Sequence, residues 1–164
     1  MVNIKNLFAS AGLISLVIIT ALITDSAKVS ASSITRVGGE NRYATASQVA
    51  KTNWTSGSEN AVLVSGEGYA DSVSASVLAK KLGAPILLTQ SASLSADVKS
   101  ALETLKPKNV YVIGGTASIS SSIESALKLD YNVTRLGGND RYATNLAVVN
   151  KLVDLGVSKD NIIA

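Results

Sequence analysis

The chain has 164 residues, of which 46% are hydrophobic and 4% aromatic, and its formal net charge at pH 7 is +3. It contains no histidine and no cysteine, which excludes imidazole and thiol catalysis, the commonest zinc ligands and disulfide bonds. The apolar content is typical of a globular protein, and the small positive charge does not indicate a nucleic-acid binder.

The first residues have the pattern of an export signal. Lys5 precedes an uncharged apolar run at residues 7–23, and "VSA" at residues 29–31 offers small side chains at the −3 and −1 positions of a signal-peptidase site. We therefore expect residues 1–31 to be a signal peptide that is cleaved after Ala31. The alternative is a retained membrane anchor, because the apolar run is near the length that spans a bilayer.

Short apolar strands alternate with amphipathic helices through the rest of the chain. Strands are predicted at residues 61–66, 85–89 and 109–115, with shorter candidates in "ITRVGG" and "NVTRLGG". Helices are predicted at residues 42–52, 71–83, 95–106 and 121–129, with Gly83 and Pro107 as stop signals. The third helix has one apolar face, formed by Leu94, Val98, Ala101, Leu102 and Leu105. This alternation predicts an α/β fold with a mainly parallel sheet flanked by helices.

One motif occurs twice. "RVGGENRYATAS" begins the first copy at Arg36, and "RLGGNDRYATNL" begins the second copy at Arg135, 99 residues later. In each copy the glycine pair is expected to end a strand, and the residues after it to begin a helix. The apolar stripe of the second helix is predicted to be Tyr142, Leu146, Val149 and Val153. Such a strand-to-helix turn exposes backbone N–H groups, which favours an anion.

The arginines of this motif allow two compatible interpretations. Arg42 and Arg141 fall in the first turn of a helix, where a cation is mildly unfavourable. In the first interpretation, each arginine pairs with a carboxylate such as Glu67 or Asp71 and ties two loops together. In the second, Arg36 and Arg42 contact an anionic ligand together with the glycine turn.

Four segments resemble the cell wall binding repeat 2 family of Gram-positive, chiefly clostridial, surface proteins. They are "RVGGENRYATASQVAKT", "AVLVSGEGYADSVSASVLAKKLGAPILLT", "VYVIGGTASIS" and "TRLGGNDRYATNLAVVNK", and the likeness covers residues 34–164. The resemblance implies tandem Toprim-like α/β modules, commonly three, packed around a pseudo-threefold axis. It implies that the modules anchor exported proteins non-covalently to an anionic cell wall polymer.

The resemblance also implies partners and a site. The partners would be the anionic polymer and other copies of the module, with no cofactor, metal ion or nucleic acid and no membrane after signal cleavage. "PILL" is the family segment near the proposed polymer groove, although a proline followed by aliphatic residues first indicates a buried strand. The candidate ligand-binding residues are Arg36, Gly38, Gly39, Arg42, Lys80, Lys81, Pro85, Ile86, Leu87, Leu88, Arg135 and Arg141.

The second copy of the motif is not followed by a full set of strands and helices. We expect a module at residues 32–132 and the start of a second, truncated module at residues 133–164, so that the sequence is a piece of a longer protein. Because the strands that would cover Leu146, Val149 and Val153 are missing, the last stretch is expected either to pack opportunistically on the first module or to be mobile.

Two enzymatic alternatives compete with the interpretation of the chain as a secreted, wall-bound binding module. The chain could be the wall-targeting part of a peptidoglycan hydrolase, such as an N-acetylmuramoyl-L-alanine amidase, whose catalytic domain lies elsewhere. Intrinsic catalysis would require Glu40 with Glu67 or Asp71 to flank a sugar bond. We expect no catalytic residues in this chain, because nothing in its sequence indicates a carboxyl group with a raised pKa. "VIGGTASIS" lacks the Lys-Ser/Thr ending of a phosphate-binding loop.

Overall fold

The structure, a computed structural model, describes residues 35–158, and the predicted signal peptide lies outside them. Residues 36–158 belong to one compact unit. The strands are β1 (Asn60–Ser65), β2 (Ile86–Thr89), β3 (Asn109–Ile113) and β4 (Asn132–Leu136). The helices are α1 (Arg42–Asn53), α2 (Ala70–Leu82), α3 (Ala96–Leu105), α4 (Ser121–Leu127) and α5 (Arg141–Asp154). Within residues 35–158, none of the helices combines the length and apolarity needed to cross a bilayer.

The four strands form a parallel sheet in the order β2-β1-β3-β4. The chain runs from β1 outward to β2 and then returns past β1 to β3, so the direction of strand order reverses between β1 and β3. In open α/β sheets, ligands bind beside the carboxyl ends of the strands at such a reversal. The predicted α/β fold with a mainly parallel sheet is confirmed.

Helices cover both faces of the sheet. Successive residues of β1 point to opposite faces, so that Leu63 enters one core cluster and Val64 the other. The first cluster includes residues of α1, α3 and α4, and the second includes residues of α2 and α5. The central strands β1 and β3 are therefore buried from both sides, as their continuous apolar sequences predict.

Two helices end at the predicted stop signals. α2 ends before Gly83, whose φ of 61° is left-handed. α3 ends at Leu105, and the capping residue Lys106 is followed by Pro107, which cannot continue a helix through its nitrogen. Four of the five residues predicted for its apolar face are buried, and Leu94 is partly buried.

The two copies of the repeated motif differ in their strands. "NVTRLGG" forms β4, which pairs with β3 from Asn109↔Asn132 to Ile113↔Leu136. Residues 36–39, in the predicted strand "ITRVGG", form no strand. β4 of the second copy covers the edge of β3 that the first copy leaves open. The sheet therefore continues past residue 132, where the first module was expected to end.

The apolar stripe predicted for the second helix is not the buried one. The buried residues of α5 are Thr144, Val148 and Leu152, whereas Tyr142 and Leu146 are exposed. The reason is that α5 packs against α2 of the first copy through its other side. Of the two alternatives expected for the last stretch, packing on the first module is the one observed for residues 132–154.

Candidate functional site

The first copy of the repeated motif forms a tight corner at the start of α1. The Asn41 side chain caps the helix, accepting hydrogen bonds from the N–H groups of Tyr43 and Ala44 at 2.9 Å. The N–H of Gly39 donates to Thr45 Oγ1 at 3.0 Å. A Cβ on Gly39 would collide with Ala44, so this close approach of the chain requires glycine.

The second copy repeats the same corner at the start of α5. Asp140 Oδ1 accepts from the N–H of Ala143 at 2.8 Å, and the N–H of Gly138 donates to Thr144 Oγ1 at 3.3 Å. A Cβ on Gly138 would collide with Ala143. Because these N–H groups have partners within the motif, they are not free for the anion that the glycine turn was expected to favour.

The four arginines have different environments. Arg42 Nη1 donates to the carbonyl oxygen of Gly66 at 2.6 Å and so ties α1 to the loop after β1. Arg135 Nε pairs with Glu124 Oε2 at 2.6 Å. Arg36 and Arg141 are exposed. Among residues 35–158, none of the ion pairs joins an arginine to Glu67 or Asp71, so the first interpretation of these arginines is wrong in its partners.

A cleft of about 590 Å³ lies beside the carboxyl ends of β1, β3 and β4, where the strand order reverses. Arg141 lines it together with Glu67, Asp71 and Asp140. The Ser91 hydroxyl and N–H both donate to Glu67, and these bonds hold the pKa of the Glu67 carboxyl below its usual range. The cleft therefore carries more negative than positive charge at neutral pH. No cluster of acidic residues suited to a metal ion is present in the described part of the chain.

The opposite end of the sheet, at the amino ends of the strands, is rich in lysine. The helices return antiparallel to the strands, so their carboxyl ends lie near the amino ends of the strands. Lys80 and Lys81 occupy the last turn of α2, just before Pro85 leads into β2. Trp54 Nε1 donates to the Gly83 carbonyl oxygen at 2.8 Å, which ties the end of α1 to this turn. We call this end of the sheet, at which the strands begin, the amino edge.

A second cleft, of about 510 Å³, opens near the start of β3. Lys106, Lys108 and Glu59 line it, and Lys108 Nζ lies 3.9 Å from Glu59 Oε1. Both side chains of this pair are exposed, so the interaction is weak and the lysine stays accessible. The second cleft extends the positive charge of the amino edge.

The "PILL" segment is mainly a structural strand. Pro85 and Leu87 are buried, and Ile86 and Leu88 are half-buried on the edge strand β2. Leu87 belongs to the first core cluster, and its Cα pairs with that of Leu63. Only the Pro85 end of this segment lies beside the lysines.

The sequence of this chain matches a known protein family. The cell wall binding domain 2 (CWB2) family matches residues 36–124. The chain belongs to the CWB2 family.

The N-acetylmuramoyl-L-alanine amidase LytC of Bacillus subtilis (strain 168) is 42% identical over 113 residues, covering 68% of this chain and 23% of the amidase. The amidase enhancer of the same strain is 35% identical over 107 residues, 65% of this chain and 15% of that protein. The chain thus spans less than a quarter of the length of these relatives.

Two solved structures are also similar to this chain. Cwp6 from Clostridium difficile matches with a TM-score of 0.66 and 33% identity, covering 81% of this chain and 23% of Cwp6. Cwp8 from the same organism matches with a TM-score of 0.63 and 36% identity, covering 72% of this chain and 20% of Cwp8. CWB2 membership makes this a cell wall binding domain and implies a location at the cell wall or surface. The family matched in this chain is a family of binding domains, and the match to LytC covers only 23% of the amidase.

The CWB2 fold divides the candidate residues between two opposite ends of the sheet. The glycine pairs, Arg42 and Arg141 lie at the carboxyl ends of the strands, whereas Lys80, Lys81 and Pro85 lie at the amino edge. The sequence did not single out Trp54, Lys106 or Lys108 for this edge. Their signal was present, because lysines near the ends of helices collect at one end of a parallel sheet.

Proposed function

We propose that this chain anchors an exported protein non-covalently to the cell wall by binding an anionic wall polymer. In this proposal residues 1–31 are a signal peptide, the mature protein is secreted, and further copies of the module take part in binding. Family membership supports the wall as the target. The charge of the amino edge supports an anionic polymer as the ligand.

The charge distribution is the observation that carries the proposal. Lysines at this edge are Lys51, Lys80, Lys81, Lys106, Lys108, Lys128 and Lys151, of which Lys128 is paired with Glu124, and the other carboxylates there are Glu59, Glu103, Asp130 and Asp154. The cleft at the other end sets one arginine against three carboxylates. A polyanion is attracted to the first surface and repelled by the second.

We assign the candidate residues accordingly. Lys80 and Lys81 contact the polymer, and Pro85 and Ile86 form the wall of the sheet beside them. Arg42 and Arg135 hold the fold together through their bonds to Gly66 and Glu124. Arg36 is a secondary candidate for the polymer because it is exposed. Arg141 is exposed as well, but it is a weaker candidate because it lies in the cleft that repels a polyanion.

Co-sedimentation with purified cell walls across a salt series tests the proposal. The double variant Lys80→Gln and Lys81→Gln is expected to weaken retention by about 1–2 kcal/mol and to make it less dependent on salt. Lys99→Gln is the matched control, because Lys99 is an exposed lysine near the start of α3, at the other end of the sheet. Undiminished retention of the double variant would remove these lysines from the site, and loss of retention on Arg141→Gln would move the site to the cleft.

The similarity to LytC favours one related function, in which the chain targets a peptidoglycan hydrolase to the wall. The catalytic domain would then lie elsewhere in the parent protein, and this chain would still be a binding module. A zymogram on purified wall separates binding from catalysis: we expect retention of the chain without clearing. Clearing by this chain alone would contradict the assignment as a non-enzymatic module.

A further inference from the structure

The cleft beside the carboxyl ends of the strands has a lining unlike that of the amino edge. Besides its charged side chains, its wall contains hydroxyl groups, a side-chain amide and one aromatic ring. These groups belong to Ser65, Tyr69, Thr116, Ser118, Asn139 and Thr144. The volume of about 590 Å³ lies within the usual range of small-ligand sites, about 300–1,000 Å³. The cleft therefore offers hydrogen bonds in several directions as well as charge.

Two buried hydroxyl groups of this lining keep an unused donor. Ser65 is 5% exposed and Thr144 is 2% exposed. Ser65 Oγ accepts from the N–H of Glu67 at 3.2 Å, and Thr144 Oγ1 accepts from the N–H of Gly138 at 3.3 Å. Neither hydroxyl group donates to an acceptor among residues 35–158. Because a buried O–H group is rarely left without an acceptor, this arrangement favours a ligand that brings an oxygen acceptor into the cleft.

The carboxylates of the cleft retain capacity for donors of a ligand. Asp71 lies in the first turn of α2, and a Cβ on Gly114 would lie 2.6 Å from its Oδ2, so the glycine leaves room for this carboxylate at the end of β3. Asp71 has no hydrogen bond or ion pair within the described part of the chain. Asp140 caps α5 with Oδ1, which leaves its Oδ2 available. Ionised carboxylates accept hydrogen bonds only, and they accept the strongest ones from cations.

Glu67 is suited to bind a cation rather than to donate a proton. Its hydrogen bonds from Ser91 hold the pKa of its carboxyl group below the usual value, so it is ionised near neutral pH. Cleavage of a sugar bond requires the opposite, a carboxyl group whose pKa is raised. The charge of the cleft therefore indicates binding of a positively charged ligand without catalysis.

Tyr69 gives the cleft an aromatic surface. It occupies the N-cap position of α2 and is 78% exposed. An exposed ring presents a flat apolar face, on which the C–H face of a sugar ring can pack, and the same face attracts a cation within about 6 Å. A ring, hydroxyl donors and carboxylates together match a sugar that carries an ammonium group.

We infer that this cleft binds a saccharide unit with a free amino group, such as a hexosamine that is not acetylated. Asp71 and Glu67 bind the ammonium group, and the sugar ring packs on Tyr69. Oxygen atoms of the sugar accept hydrogen bonds from Ser65 and Thr144. This ligand is distinct from the polyanion of the amino edge, and the inference does not depend on that polymer.

Titration calorimetry with a glucosamine trimer tests the inference at about pH 6, where carboxylates and amino groups are both ionised. Asp71→Asn is expected to weaken binding about tenfold or more, because a charge-assisted hydrogen bond to the ammonium group is lost. Tyr69→Ala is expected to weaken it about threefold or more through loss of the aromatic surface. The N-acetylated trimer, which has the same length and no charge, is expected to bind about tenfold more weakly or worse.

Asp97→Asn and Tyr142→Ala are the matched controls. Asp97 lies in the first turn of α3 as Asp71 does in α2, and Tyr142 is 78% exposed as Tyr69 is. Neither control residue lines the cleft. No change in the affinity for the glucosamine trimer is expected for either variant.

Undetectable binding of the glucosamine trimer, equal affinities for the two trimers, or full affinity of Asp71→Asn would each overturn the inference. So would tighter binding of N-acetyl-trilysine amide, which carries the same charge without a sugar ring and would assign the cleft to a peptide. The double variant Lys80→Gln and Lys81→Gln is expected to keep full affinity for the trimer while its retention by the wall falls. The failure of one proposal is thus distinguishable from the failure of the other.

Discussion

Arg135 shows how one residue joins the two copies of the repeat. Its side chain is 15% exposed and that of its partner Glu124 is 17% exposed. It also donates to the Gly114 carbonyl oxygen at 2.8 Å, so the strand of the second copy is fixed to the loop after β3. Its equivalent Arg36 is exposed. The sequence could not separate these two arginines, because the motif is the same and the partner lies outside it.

Glu124 should make the stability of this protein sensitive to acid. Hydrogen bonds from Lys128 and Arg135 hold the pKa of its carboxyl below the usual value. A lowered pKa stabilises the fold above the pKa of the unfolded state, about 4.3, and this contribution is lost as the pH falls through the folded-state pKa. Glu124→Gln is therefore expected to lower the free energy of unfolding by about 1–3 kcal/mol at pH 7 and by much less near pH 2.

Urea denaturation at the two pH values measures this difference. Glu59→Gln serves as the control: its partner Lys108 lies 3.9 Å away on the surface, so a change of at most about 0.5 kcal/mol is expected. An equal loss for Glu124→Gln at both pH values would show that shape rather than charge is responsible.

At the scale of the elements, equivalent glycines of the two copies differ in the space around them. A Cβ on Gly137 would overlap the carbonyl oxygen of Gly114, because β4 runs close to the end of β3. The equivalent Gly38 has nothing within 4 Å of such a Cβ. Gly137→Ala should destabilise the protein by about 1–3 kcal/mol, whereas Gly38→Ala should change its stability by less than about 0.5 kcal/mol. Thermal unfolding of the two variants measures this difference in stability. Similar shifts of the two melting temperatures would contradict the difference in packing.

The elements themselves could be predicted because each has a local signal. The apolar face of α3 and the stop signals at Gly83 and Pro107 are contained in a few neighbouring residues. The orientation of α5 could not be predicted, because Leu146 and Val148 lie on two different apolar faces of one helix. Periodicity identifies such faces but does not identify what covers them.

The candidate site, like the fold, could be predicted only in part. The motifs identified the residue types, but not that Arg42 and Lys80 lie at opposite ends of the sheet. That separation depends on the direction in which each helix returns along the sheet, which is a property of the assembled fold. The partner of Arg42 is likewise a backbone carbonyl group, which has no side-chain signature in the sequence.

At the scale of the whole molecule, the unit of folding and the unit of repetition differ. β4 and α5 follow the point where the sequence repeats, yet β4 covers the edge of β3 and α5 covers α2. They contribute Leu136, Val148 and Leu152 to the second core cluster. Burial of each such side chain is worth about 1.5–3 kcal/mol, and their sum is comparable with the whole stability of a small domain, about 5–15 kcal/mol.

A polypeptide of residues 36–131, which ends just before β4, is therefore expected not to fold cooperatively. It would expose the edge of β3 and the inner side of α2, and an open apolar edge strand promotes aggregation. Residues 36–158 retain β4 and α5 and should melt in one cooperative transition as a soluble protein. Circular dichroism melts and size-exclusion chromatography of the two polypeptides measure the difference. If residues 36–131 formed a monomer with the same melting temperature, the strand and helix of the second copy would be accessories to the first module rather than parts of it.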